Sequence, residues 1–127
     1  MSKRQLGVQL YSLREQAAKD FVKVLKDVAH AGYTVVEPAG FHNLSVKEFK
    51  KVLDGLGLKV VSSHSPWISP DNVQECLDAA HELGLEYLIC GYGPDEFQSL
   101  DTIKRAAERT NRILEQMKGC DVKLAQH

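Results

Sequence analysis

Three side chains of the kinds that bind metals and move protons stand at the ends of short apolar runs. Glu37 closes Thr34-Val35-Val36-Glu37, His64 closes Val60-Val61-Ser62-Ser63-His64, and His127 closes Leu124-Ala125-Gln126-His127. Gln9 and Tyr11 close the run that begins at Leu6. A carboxylate at such a position can abstract a proton or bind a metal. An imidazole suits zinc, manganese or cobalt, or a hydrogen bond to a hydroxyl. Glu37, His64 and His127 on one rim would give a metal three ligands, with water completing the shell. Trp67 follows His64 closely and offers an aromatic face to ligand C–H groups. No local spacing motif ties these residues together, so their meeting depends wholly on the fold. Each also has a purely structural role open to it. Glu37 can be a rim charge paired with a lysine, His64 a hydrogen-bonded structural histidine, His127 a frayed terminal residue, and Trp67 a cover for an open core.

The elements that must position them follow from a repeat. An amphipathic stretch, a glycine and a short apolar run recur around Gly32, Gly57, Gly84 and Gly119. Glycine ends a helix in a left-handed conformation without a Cβ clash. The runs after it are rich in Val, Ile and Leu, as strands buried on both faces are. The intervening stretches have helical period and caps. Asp20 precedes the stripe Phe21, Val24, Leu25, Val28 and Ala29. Ser45 and Glu48 form a capping box before Val46, Phe49, Val52 and Leu53. Ser69-Pro70 predicts the next helix start, with Val73, Leu77 and Ala80 inward. Asp101 opens the last, with Ile103, Ala107, Thr110, Leu114 and Met117 in line.

The order is strand–helix four times, beginning with Leu6–Leu10, then a short fifth strand near Val122. Such alternation gives parallel strands and right-handed crossovers. An open doubly wound sheet and a barrel both fit. A dinucleotide-binding open sheet would carry Gly-x-Gly-x-x-Gly after its first strand. Here that strand runs into Gln9-Leu10-Tyr11-Ser12-Leu13-Arg14, and no P-loop is present, which disfavours the open sheet. The expected architecture is α/β: half of a (β/α)8 barrel, (βα)4 plus a short fifth strand, with outer helices, as a single domain over residues 1–127.

Composition narrows the function classes. The chain has 127 residues, 43% hydrophobic and 26% charged, with net charge -1, which argues against disorder, a nucleic-acid groove and a membrane patch. The apolar run after Met1-Ser2-Lys3-Arg4 is too short for a signal peptide, so a cytoplasmic chain is expected. Cys76, Cys90 and Cys120 are odd in number and scattered, and read as free, buried thiols. His30 and His81 fall near helix ends, where a cation offsets the helix dipole. His42 lies in the loop after the second strand. Arg105, Arg109 and Arg112, interleaved with Glu108 and Glu115, read as a solvated helix face with i,i+4 pairs. Tyr92, between Gly91 and Gly93, suits a tight turn or a ligand contact.

At these motifs the chain resembles the N-terminal half of the sugar-phosphate isomerases/epimerases of the xylose-isomerase-like TIM barrel superfamily. Gly7-Val8-Gln9-Leu10-Tyr11-Ser12-Leu13-Arg14 resembles their opening strand. Gly32-Tyr33-Thr34-Val35-Val36-Glu37 is similar to their second strand, Val60-Val61-Ser62-Ser63-His64 to the third, and Leu124-Ala125-Gln126-His127 to the fifth. The resemblance implies metal-assisted isomerisation or epimerisation of a sugar or sugar phosphate. Glu37 would be base or ligand and His64 ligand or hydrogen-bond donor. Gln9, Tyr11 and Trp67 would touch substrate. It also implies a divalent metal (Mn, Zn, Co or Mg), which half a barrel need not retain, held by Glu37, His64 and His127. A complete barrel takes about 250 residues, so full activity is not expected of half. Open strand edges invite pairing with a second copy, and a homodimer is expected. The alternative is a non-catalytic half-barrel scaffold that self-associates.

Overall fold

Short apolar runs, each after the first following a helix, become parallel strands. The computed structural model describes residues 5–127, and the Met1–Arg4 start lies outside them. Strands β1 (Gly7–Gln9), β2 (Val35–Glu37) and β3 (Lys59–Val60) pair in that order; β4 (Ser62–Ser63), β5 (Tyr87–Cys90) and β6 (Lys123–Gln126) form a second sheet. Every pairing is parallel. The crossovers are α2 (Phe21–His30), α3 (Val46–Leu56), α4 (Val73–Leu83) and α5 (Leu100–Gln116), after a single-turn α1 (Arg14–Ala17).

The third strand was expected to be continuous, and it is broken at Val61. The Val61 carbonyl accepts the N–H groups of Glu86 (3.0 Å) and Tyr87 (3.2 Å), so it bridges from the first sheet to the second. The one-residue break divides the strands into two short sheets rather than one.

Helix caps explain where the crossovers begin and end. Asp20 accepts from the Lys23 N–H at 2.9 Å. Ser45 and Glu48 make the expected capping box, at 3.2 and 2.7 Å. Gly57 and Gly84 end α3 and α4 at φ 68°, a left-handed conformation open to glycine at low cost. Two expected starts are corrected. Ser69-Pro70 does not open α4: Ser69 N–H donates to Asn72 Oδ1 (2.7 Å), the two residues close a turn, and the helix begins at Val73. Ser99, not Asp101, caps α5, accepting from Thr102 N–H at 3.2 Å.

The core lies between the strands and one face of each helix. Phe49, Leu25, Leu53, Leu88, Ile113 and Val36 are among its fully buried side chains. The inward face of α5 differs from expectation. Met117 is buried as expected, but Ala106 and Ile113 are buried with it, while Ile103 and Leu114 are exposed. Both sets recur at helical spacing, so periodicity alone admits either. Packing selects the one that joins the core. Cys76 and Cys90 are buried free thiols and Cys120 is partly buried. Burial pushes the Cys76 thiol up to about 11, with the Glu75 charge adding to it, so it stays protonated and inert. Among the described residues no helix is long and apolar enough to cross a membrane.

Candidate functional site

The β1–β2 register sets Gln9 directly beside Glu37. Adjacent parallel strands run 4.7–4.9 Å apart, so two polar side chains on the same side of neighbouring strand ends are bound to meet. Gln9 Nε2 donates to Glu37 Oε1 at 2.9 Å. Ser62 and His64 come from the third run, two residues apart and therefore on one face. Ser62 Oγ donates to Glu37 Oε2. His64 Nε2 lies 3.2 Å from Glu37 Oε1 and 3.4 Å from Gln9 Nε2. The His64 backbone N–H donates to the Pro38 carbonyl (3.2 Å), which ties the two strand ends together.

The cluster is half-sheltered: the Glu37 side chain is 25% exposed and that of His64 14%. Burial works to raise the Glu37 pKa. The Ser62 hydroxyl, the Gln9 amide and His64 together outweigh it, and the carboxyl is held below its ordinary range. Glu37 is thus an ionised carboxylate with three donors around it. Among the described residues no buried side-chain N or O atom lacks a partner.

The lowered pKa has a consequence for stability. An unfolded chain binds a proton to Glu37 more readily than the folded one does. The stabilisation is complete above the ordinary glutamate value and is lost as pH falls through the folded value. Urea unfolding followed from neutral to acid pH is expected to show this loss, and Ser62→Ala is expected to shrink it. An identical acid limb in the variant would assign the shift to other donors.

Not every expected residue reaches this cluster. β1 ends at Gln9, and Tyr11 lies beyond it on the 3-10 turn Leu10–Leu13. Tyr11 is 56% exposed, and its ring carries the Arg14 guanidinium at 4.6 Å. Strand alternation therefore does not extend to Tyr11, because the backbone turns one residue earlier. His127 sits edge-on to His64 with ring centroids 5.3 Å apart. Strand β5 stands between their two strands, so the backbones start two strand spacings apart and only the rings meet.

The metal expectation can be tested on the donor set. Zinc bonds of about 2.0–2.2 Å put two ligands of one tetrahedral ion roughly 3.3 Å apart. Glu37 Oε1 and His64 Nε2 satisfy that separation as a pair. Among the described residues no group of three His, Cys, Asp or Glu side chains is arranged to hold an ion, so His127 does not complete the expected set.

Beside the cluster opens a cleft of about 530 Å³, lined by Trp67, Gly91, Tyr92, Arg109 and His127 among others. Trp67 is half-exposed, and its ring centroid lies 6.0 Å from that of His64. Trp67 and His127 thus form a wall shared by cluster and cleft. Arg109 is not one of a row of i,i+4 pairs. It pairs with Glu96 and stacks on the Tyr92 ring at 4.5 Å, tying the loop after β5 to α5. His42 lies outside the cluster with its ring 4.5 Å from that of Phe21. Ser62 was missed as a site residue. Its signal was present, because it stands two positions before His64 on the same strand face.

Solved structures of similar fold were found. A sugar phosphate isomerase/epimerase from Parabacteroides distasonis matches with a TM-score of 0.70 at 24% identity, over 100% of this chain and 52% of that one. An AP endonuclease, family 2, from Brucella melitensis matches with 0.76 at 15%, over 98% and 55%. A xylose isomerase domain containing protein from Salmonella typhimurium matches with 0.54 at 15%, over 94% and 47%. The chain has the fold of half a TIM barrel. It spans about half the length of these three structures. No protein-family model and no curated protein matches the sequence. In this half-barrel the Gln9–Glu37–His64 cluster lies at the C-terminal ends of the strands, the end where barrel active sites are built.

Proposed function

We propose that the chain supplies part of the rim of a site that isomerises or epimerises a sugar or sugar phosphate, and that as half a barrel it lacks full activity. The observation that carries this reading is the meeting of a sheltered carboxylate and an imidazole at 3.2 Å on adjoining strand ends. Glu37 is the base that takes a proton from the carbon beside a sugar carbonyl. Gln9 and Ser62 hold its two oxygens, so its lone pairs stay aimed without reorganisation. His64 donates to, or accepts from, a substrate oxygen. Trp67 offers its apolar face to the sugar C–H surface. A divalent ion, when bound, would polarise the carbonyl; Glu37 with His64 are the residues of this chain that would hold it, and Glu37 would then serve as ligand in place of base.

The test is solvent exchange. Purified chain is incubated with pentoses, hexoses and their phosphates in heavy water, and the substrate C–H signals are followed by NMR. Deuterium entering beside the carbonyl is the expected result. No incorporation across the panel would favour the second reading, a non-catalytic scaffold that self-associates. Large apolar side chains support that alternative: Leu6 is 73% and Leu100 74% exposed, with Ile103 and Leu114 further along α5. Native mass spectrometry separates the two by reporting subunit count and bound metal together.

A further inference from the structure

The wall of the cleft depends on a side chain that is missing. Gly91 follows β5 directly, and Trp67 lies across it. A Cβ built on Gly91 would stand 3.1 and 3.2 Å from two carbons of the Trp67 six-membered ring and 3.5 Å from the His127 Cβ. Carbon atoms pack comfortably at about 3.5–4.0 Å, so even one methyl here crowds the indole. Gly91 does not have a positive φ. Its backbone would suit alanine, and the obstacle to a Cβ is the indole, which would have to give by a few tenths of an ångström. Gly93, two residues on, has extended backbone (φ -76°, ψ 167°) and nothing within 4 Å of a Cβ.

We infer that Gly91 is a positioning residue that seats the Trp67 ring and thereby sets the shape of the ligand cleft beside Glu37 and His64. The ring is half-exposed, so it yields to a methyl by swinging outward rather than by breaking the fold. That movement alters the wall shared with His64, and with it what the cleft admits. The consequence for ligand choice rests on the sugar-site reading proposed above. The seating of the ring does not.

Trp67 is the only tryptophan of the chain, so its fluorescence reports the surroundings of this one ring. Gly91→Ala is expected to shift emission to the red and make it more readily quenched by acrylamide. Gly93→Ala, the same change in the same loop, is expected to leave both as in the native chain. Emission and quenching unchanged in Gly91→Ala, or moved equally by Gly93→Ala, would overturn the inference. If Gly91→Ala does not fold, the double variant with Trp67→Ala decides: regained folding supports the clash, and continued failure overturns it. Titration with D-xylose and D-fructose 6-phosphate then tests the cleft. Apparent affinity is expected to fall about tenfold in Gly91→Ala, the scale of one misplaced methyl-sized contact. Native affinity in Gly91→Ala despite a displaced ring would overturn the role in ligand choice. Sugars that leave native emission untouched would defeat the sugar-site reading alone, because the alanine comparison stands without them.

Discussion

Glu37→Gln is expected to slow solvent-proton exchange into a bound sugar by about 10²–10⁴-fold, the usual contribution of a positioned general base. Glutamine keeps the shape of the side chain. Its amide oxygen can still accept from Ser62 or Gln9, so the strand ends stay joined. What is lost is the charge and the basic oxygen. In the native chain burial disfavours that charge, while Ser62, Gln9 and His64 more than restore it. The three donors thus hold the carboxylate ionised and fixed in place, at some cost to its basicity. The measurement is deuterium incorporation by NMR for native and variant chains, with circular dichroism to establish that both are folded. Equal rates would reduce Glu37 to a rim charge holding two strands in register.

Phe49→Ala is expected to destabilise the chain by about 3–5 kcal/mol, the range for truncating a fully buried phenylalanine. Phe49 is fully buried on α3. Its ring stacks on Phe21 of α2 at 5.6 Å and meets Phe41 at 5.1 Å with a tilt. The three rings join two helices to the loop after β2, the strand that carries Glu37. Truncation leaves a cavity that rigid aromatic neighbours fill poorly. A domain of this size has about 5–15 kcal/mol in total, so the variant should unfold at a much lower urea concentration. A loss under about 1 kcal/mol would mean that Phe21 and Phe41 collapse into the space. The loss should also lower any exchange activity in step with the folded fraction, unlike Glu37→Gln, which acts without unfolding.

Much of this was legible along the chain. Helix ends were written by local chemistry: the Ser45–Glu48 box, the Asp20 cap, and Gly57 and Gly84 in left-handed turns. These signals involve residues within a few positions of one another, so no distant contact is needed to read them. Period and caps together determined the strand–helix alternation, and alternation determined parallel pairing. Glu37 and His64 were legible as candidates because each ends an apolar run. Ser62 follows from strand alternation once His64 is chosen.

What tertiary structure alone decided concerns residues far apart in sequence. Register set Gln9 opposite Glu37, and a one-residue slip would have turned them to opposite faces. The break at Val61 divided one expected sheet into two, because hydrogen bonds to Glu86 and Tyr87 drew its carbonyl across. The stripe expected on α5 was right at Met117 and wrong at Ile103 and Leu114, because the packed core took Ile113 instead. Tyr11 fell out of the strand alternation where the backbone turned after Gln9, and His127 stopped short of Glu37 because the third run and β5 both stand between their strands. Gly91 carried no signal of its own, since its requirement is set by where the Trp67 ring, 24 residues earlier in the numbering, comes to rest. Local chemistry determined the elements and the residue types at their ends; packing and register decided which of those residues share one site.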